Sequence, residues 1–375
     1  MEIIHLILGK ANPNRMNGVN KVVDNLARTQ TELGHQVTVW GITPNLEHNY
    51  PERPYGTRLF PAVRHKLWVH RALLQAIREQ HHDTVFHLHG GFIPEFFHLA
   101  ASLRRAGFSY VFTPHGAYNT VAMEKSQRVK RWYFRFFEHR VVRHAKAVHM
   151  IGQSEVDAFR LRYPNKPVSL IPNGQSTEAA VRPANSLESG SGPVFGFCGR
   201  IDIHTKGLDK LVRGFRHYTR QLGGTGELWF IGDHGDMPAL QEMVRDLDIA
   251  EHVRFFGKRF GQEKLEILQQ MDAFCHPSRN EGLPGAVLEA AAMELPCIVS
   301  QESNMREYIN EHSAGIGLKE TTSQTIAHAM QLIRHYRDTG EIEAFRKNAL
   351  DMIRNVFDWR IISRQLIHLY QQPIA

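Results

Sequence analysis

Short apolar runs separated by helical patterns recur along the whole chain, and this alternation limits the available folds more than any other feature. In the first half the runs are IIHLILG (residues 3–9), QVTVWG (36–41), TVFHLHG (84–90), YVFTPHG (110–116), AVHMIG (147–152) and VSLIP (168–172). The second half continues with VFGFCG (194–199), ELWFIG (227–232), HVRFFG (252–257), DAFCHP (272–277) and PCIVS (296–300). Strands of this length between helices specify βαβ units and hence a parallel sheet. The alternation pauses once, at the polar Pro-, Gly- and Ser-containing stretch 179–193, which reads as an interdomain linker. The expected fold is therefore α/β, with two Rossmann-like doubly wound parallel-sheet domains, 1–178 and 194–357, facing a cleft. Ligands of such sheets bind at the carboxyl ends of the strands. A length of 375 residues suits two domains. The last helix, from about 358, comes after a complete second sheet and is a candidate to cross back to the first domain.

The composition, 42% apolar and 22% charged, is that of a folded protein and excludes a disordered or fibrous chain. MEIIHLILG has no basic region ahead of its apolar residues, and no stretch reaches the 18 or so uninterrupted apolar residues of a membrane span. A cytoplasmic protein is expected. Cys198, Cys275 and Cys297 fall in predicted strands and are odd in number, which favours free buried thiols over disulfides or a metal site. Charge is uneven: residues 1–175 carry 23 Lys and Arg against 12 Asp and Glu, while residues 176–375 carry 22 against 26. A basic first half suits nucleic acid, an anionic membrane or a phosphorylated substrate.

The stretch RNEGLPGAVLEAAAMELPCIVS (279–300) carries the sharpest chemical signal. Pro284 suits a first helical turn and Gly285 admits a close approach to the backbone, so a helix is expected from about residue 284. Glu281 then precedes the helix and Glu289 lies a little over one turn inside it, with unpaired backbone N–H groups between them. A helix start attracts anions, which the two carboxylates would repel. A ligand with both hydroxyls and phosphate resolves the conflict, and a nucleotide sugar is such a ligand. The plain alternative is a loop charge and an ordinary position on an amphipathic helix.

Other candidates also stand at strand ends. In GRIDIHTKGLDKL, Arg200 and Lys206 bring two cations to the end of one strand, a pair suited to a diphosphate and to the charge that grows on it as it leaves; alone, the stretch is also an ordinary basic loop. Gly18 opens a helix after the first strand but belongs to no GxGxxG, so by itself it is a turn glycine. His115 stands just past a strand and before Gly116, placed to bond a sugar or a departing group, or simply to cap a loop. His87 and His89 read as structural or as bordering an acceptor site. Asp246 and Asp248 form a DxD at the tail of a helical pattern, which reads as solvated surface and not as a metal site.

Together these positions resemble the retaining GT-B glycosyltransferases of glycosyltransferase family four. The likeness spans nearly the whole chain and rests on NGVNKVVDNLA, on His115-Gly116, on SEVDAF (154–159) with IPNG (171–174), on GRIDIHTKG, on VRFFGK and on EGLPGAVLE. It implies that Arg200 and Lys206 bind the donor diphosphate, that Glu281 contacts the donor sugar and Glu289 the ribose, and that Lys258 and Arg259 lie beside the base. It further implies that His115 reaches the transferred sugar, and it places Gly18, Gly282, Leu283, Pro284 and Gly285 in the donor site. Many relatives have Gly-Gly at Asn17-Gly18 and Phe-Gly at Leu283-Pro284, so the local sugar pocket differs here.

The expected activity is transfer of a hexose from a nucleoside diphosphate to a saccharide or polyprenyl-diphosphate-linked acceptor in cell-surface polysaccharide synthesis, with no metal or other cofactor. A GT-B nucleotide-sugar epimerase is the nearest alternative. A nicotinamide oxidoreductase lacks its GxGxxG, and a nucleic-acid-binding protein would rest on charge alone, so no nucleic-acid partner is expected. Within residues 125–146, Val129, Trp132, Tyr133, Phe136, Phe137 and Val141 recur at helical spacing among Lys125, Arg128, Lys130, Arg131, Arg135, Arg140, Arg143 and Lys146. This predicts a basic amphipathic helix whose aromatic stripe packs on the sheet. Its cations, with Arg64, Lys66 and Arg71, are suited to an anionic membrane at the inner face.

Overall fold

The computed structural model describes residues 1–10, 12, 18–48, 51–118, 127–177 and 192–372. The chain forms two compact units, Met1–Gly174 with Trp359–Ala375, and Gln175–Asp358. Of the linker expected over 179–193, residues 179–191 lie outside the described residues, as do Asn17 and Lys125.

The first unit holds a seven-stranded sheet. Its strands are β1 (Glu2–Leu8), β2 (Gln36–Thr43), β3 (Gly56–Pro61), β4 (Val85–His89), β5 (Tyr110–Thr113), β6 (Ala147–Met150) and β7 (Val168–Leu170). They lie in the order β3-β2-β1-β4-β5-β6-β7 and every pairing is parallel. The order reverses between β1 and β4, where doubly wound sheets bind their ligands. β1 is buried along nearly its whole length, as its continuous apolar run requires of a central parallel strand. β3, at the sheet's edge, escapes the sequence pattern because Arg58 and Pro61 break its apolar run.

The final helix, Trp359–Gln371, belongs to this first unit. Trp359, Ile362, Leu366 and Tyr370 pack with Ile3, Ile7, Val23 and Val111 in one core. Gly174 of IPNG receives it: a Cβ there would stand 2.4 Å from the Trp359 ring.

The second unit repeats the plan with β8 (Val194–Cys198), β9 (Glu227–Ile231), β10 (Val253–Gly257), β11 (Ala273–His276), β12 (Cys297–Val299) and β13 (Gly315–Gly317). The order is β10-β9-β8-β11-β12-β13, all parallel, with the reversal between β8 and β11. β13 is three residues long and two of them are glycine, which hides it from any propensity. The three cysteines are free, Cys275 and Cys297 being buried.

The aromatic stripe of residues 125–146 departs from expectation. A π-helical turn, Phe134–Glu138, interrupts the helix, and its extra residue rotates the helix beyond it. Phe134, Glu138, Val141 and Val142 are buried, whereas Trp132 is 61% and Phe136 44% exposed. Those two rings lie against each other, tilted by 49°, with centroids 4.6 Å apart. The stripe therefore does not pack on the sheet as one face.

Candidate functional site

In the second unit β8 ends at Cys198, and the chain passes Gly199 and Arg200 to Asp202, whose carboxylate caps the short helix Ile203–Lys206 by accepting from the Thr205 N–H at 2.9 Å. Gly207 comes next with φ 65°, and a Cβ there would stand 2.1 Å from the Pro277 carbonyl oxygen. That contact brings the loop after β8 against the loop after β11. Hydrogen bonds fasten them: the Arg279 N–H and the Ser278 hydroxyl both donate to the Thr205 carbonyl at 2.9 and 2.8 Å. The Arg279 guanidinium forks onto both oxygens of Asp209 at 2.7 and 2.8 Å.

The two fastened loops bring Lys206 onto Glu281. His276, the last residue of β11, donates from Nε2 to the same carboxylate oxygen of Glu281 at 2.9 Å. Burial raises the Glu281 carboxyl, but the His276 hydrogen bond and the Lys206 charge outweigh it and hold the group at about 2. Burial lowers the His276 imidazole while its bond to Glu281 opposes that shift, and its Nε2–H donates to the carboxylate. Glu281 thus stays ionised in a nearly enclosed place. Asn304 steadies its backbone, donating to the carbonyls of Glu281 and Gly282 at 2.8 Å each.

The helix after Glu281 runs Gly285–Ala292, with Pro284 as its N-cap residue, one position later than the sequence suggests. Leu283 and Pro284 are buried and offer a ligand mainly their backbone, while Gly285 is exposed with open space where a Cβ would be. The first N–H groups of this helix have no partner within it. Glu289 pairs with Lys264. The repulsion between two carboxylates and an anion is therefore met within the protein: each glutamate carries its own lysine. Arg200 stays more than half exposed, 3.9 Å from Asp202, and its guanidinium is open to an anion. Lys258 and Arg259 come after β10 and stand in exposed ion pairs, with Asp233 at 3.3 Å and Glu263 at 3.8 Å.

The sequence reading missed His276, Lys264, Arg279 and Asn304. His276 was visible as the polar end of DAFCHP; the others act across loops and carry no local signal. Asp248 of the DxD is exposed and pairs with Arg220 at 3.0 Å.

In the first unit, Gly18 is the exposed first residue of the helix Gly18–Glu32. His115 stands after β5 in a left-handed conformation, φ 53°, that non-glycine residues rarely adopt. Glu155 holds this turn by accepting from the N–H groups of Gly116, Tyr118 and Ile151. His115 Nε2 lies 2.9 Å from His89 Nδ1, and His89 Nε2 lies 2.8 Å from His5 Nδ1. His87 and His149 are buried beside them.

A family model described as glycosyl transferases group 1 matches residues 192–335, and one described as Glycosyltransferase Family 4 matches residues 16–179. The chain belongs to glycosyltransferase family 4. The amylovoran biosynthesis glycosyltransferase AmsK of Erwinia amylovora is 28% identical over 174 residues, which are 44% of this chain and 42% of that protein. The chain spans less than half the length of the curated relatives it matches. Sucrose-phosphate synthase from Thermosynechococcus elongatus superposes with a TM-score of 0.76 over 99% of both chains at 19% identity. HepE of Anabaena, solved in complex with UDP, gives 0.74 over 98% of this chain and 99% of that one, at 16% identity. These likenesses show the fold: two parallel α/β sheets of the GT-B class.

Proposed function

We propose that this family-4 chain is a retaining, metal-independent hexosyltransferase that moves a sugar from a nucleoside diphosphate to a hydroxyl of a saccharide or lipid-linked acceptor in cell-surface polysaccharide synthesis. The observation that carries it is the Lys206–Glu281–His276 cluster with Arg200 beside it, at the strand-order reversal of the second sheet. A diphosphate placed there meets two cations and the first N–H groups of the helix Gly285–Ala292, which together offset the charge of a departing diphosphate without a metal ion. Glu281 accepts from sugar hydroxyls and Glu289 from ribose, with Lys258 and Arg259 beside the base.

No carboxylate among these residues is free to act as a covalent nucleophile, since Glu281 is locked to Lys206 and His276. The acceptor oxygen therefore attacks the anomeric carbon from the face that the diphosphate leaves. The carbon–oxygen bond to phosphate breaks, and a phosphate oxygen takes the acceptor proton. Thermal shift with a panel of nucleotide sugars, then product analysis with and without a saccharide acceptor, tests this reading. Turnover of the donor to an epimer without acceptor would replace it with an epimerase.

The first unit supports an anionic membrane as partner. A cavity of about 460 Å³ is lined by Trp68, Phe97, Arg104, Arg105, Arg140 and Arg143, among others, with no acidic side chain. None of these four arginines has a carboxylate partner among the described residues, and Arg140 stacks over Phe97 at 5.3 Å. No helix among the described residues is long and apolar enough to cross a membrane. Binding to anionic vesicles at low salt, weakened by Arg104→Glu with Arg140→Glu, is the expected result; equal recovery with neutral vesicles would refute it.

A further inference from the structure

Two chains of hydrogen bonds run through the histidines of the first sheet, and only one of them emerges. His5, His87, His89, Thr113 and His149 lie on one face of β1, β4, β5 and β6, under the helices Gly18–Glu32 and Trp359–Gln371. The closed chain begins at the Tyr370 hydroxyl, 2.6 Å from His87 Nδ1, and passes from His87 Nε2 to Thr113 at 2.6 Å and on to His149 Nδ1 at 2.7 Å. It ends at the Ile171 carbonyl, 2.7 Å from His149 Nε2, and every group in it is satisfied. The open chain begins at Gln30 Oε1, 2.8 Å from His5 Nε2, and passes through His89 to His115. His115 Nδ1 has no partner among the described residues, and this ring stands at the carboxyl end of the sheet.

Three of these rings, His5, His87 and His89, have nitrogens within 4.8 Å of one another, a spacing open to a metal ion. Both nitrogens of each ring are already engaged, however, and His5 and His89 bond to each other. An ion would have to break that bond, so the cluster is a hydrogen-bond relay.

A relay of neutral imidazoles has a direction, because each ring has one N–H and one lone pair. Burial keeps the rings neutral, lowering His5 to about 4 and His115 to about 3. The Gln30 carbonyl only accepts, so His5 carries its proton on Nε2 and accepts on Nδ1. His89 must then donate from Nε2 and accept on Nδ1, which requires the proton of His115 to sit on Nε2. We propose that Gln30, His5 and His89 are positioning residues that fix His115 as the Nε2–H tautomer, so that its free Nδ1 accepts a hydrogen bond from a ligand hydroxyl at the carboxyl end of this sheet. That the ligand is a saccharide rests on the proposed function; the tautomer does not. The backbone at His115 is left-handed, a conformation costly for a non-glycine residue, and in it Nε2 meets His89.

The test is a long-range proton–nitrogen correlation spectrum of the full chain labelled with ¹⁵N-histidine, without donor, in which the His115 signals are those lost in His115→Asn. The expected spectrum shows His115 protonated on Nε2. His89→Phe and Gln30→Leu should each give a mixture of tautomers, whereas His89→Gln, whose amide donates toward His5 and accepts from His115, should keep the single form. In transfer assays with whichever of UDP-glucose, UDP-galactose or GDP-mannose is turned over, His89→Phe should lose about tenfold in kcat/KM and His89→Gln should recover most of it. If His89→Phe does not fold, Gln30→Leu carries the comparison. A proton on Nδ1 of His115 in the parent chain, or one unchanged tautomer in every variant, overturns the proposal. The expected spectra from a chain inert toward every donor support the relay and refute the transferase reading.

Discussion

The carboxyl ends of the two sheets occupy equivalent places in one fold and are built from opposite chemistry. β4 ends in His89 and β11 in His276, each beside the first strand of its own sheet. Around His89 the partners are other neutral imidazoles, a glutamine, a threonine and a tyrosine. Around His276 they are a carboxylate and a lysine, with a second glutamate–lysine pair, Glu289 and Lys264, on the neighbouring helix. A neutral relay orients a hydroxyl without attracting charge, while paired ions hold full charges in place for a ligand that brings its own. Each lysine stays on its glutamate while its remaining N–H groups are available to an anion, so that charge of both signs is presented in one place.

The largest expected effect breaks the charged side. Lys206→Ala and Glu281→Ala should each lose at least about 100-fold in kcat/KM with the fold retained by circular dichroism, because each removes a charged contact and leaves its partner unpaired in an enclosed place. Near-normal rates in either would remove the cluster from the reaction. His115→Ala, on the neutral side, should cost less, about tenfold, since it removes a neutral hydrogen bond.

Acid should separate the two ends. A histidine lowered by folding contributes stability that is complete above its ordinary value, near 6.5, and is lost as pH falls toward its folded value. Burial lowers His5, His87, His89, His115 and His149 in the first unit, and only His276 among the site residues of the second. Glu138 and Glu155, raised by burial to about 7, act in the opposite sense between 7 and 4.5 but are outnumbered. Glu281, held at about 2, loses its contribution only as pH falls from 4.5 toward 2. Between pH 6.5 and 5, amide exchange in β1, β4 and β5 should therefore quicken by more than in β8 and β11, by a difference on the order of 1–3 kcal/mol. Equal loss of protection in both units would show that the relay is not held neutral.

The smallest effect is expected from a chelator. EDTA should change the transfer rate by less than about twofold, because the cations at the charged end are side chains. Strict dependence on a divalent ion would transfer the diphosphate's neutralisation from Lys206 and Arg200 to the metal.

Much of this was legible along the chain. Eleven strands announced themselves as apolar runs, nine of them central parallel strands buried on both faces with no polar side to blur them. Of the four edge strands, β7 and β10 kept such a run, whereas β3 is broken by Arg58 and Pro61 and β13 is three residues long with two glycines. Arg200, Lys206, Glu281 and Glu289 were visible because each stands in a loop or within the first two helical turns after a strand end, where side-chain identity is not needed for packing. Lys264 and Asn304 were invisible because each lies more than twenty residues from the group it serves. The stripe Trp132 to Val141 misled, because the period of a helix holds only while its hydrogen-bond ladder is unbroken, and the turn Phe134–Glu138 breaks it.

Local chemistry, then, is what the sequence determined by itself: where strands begin and end, which loops carry charge, and that two similar sheets succeed one another. Which charges are neutralised, and by what, was decided only in three dimensions. Lys206 meets Glu281 across 75 residues of chain because Gly207 allows its loop to lie against Pro277. Tyr370 meets His87 across 283 because the last helix returns to the first sheet. The direction of the relay that ends at His115 is likewise a property of the whole chain of contacts, since no single histidine can choose its tautomer until its neighbours have been placed.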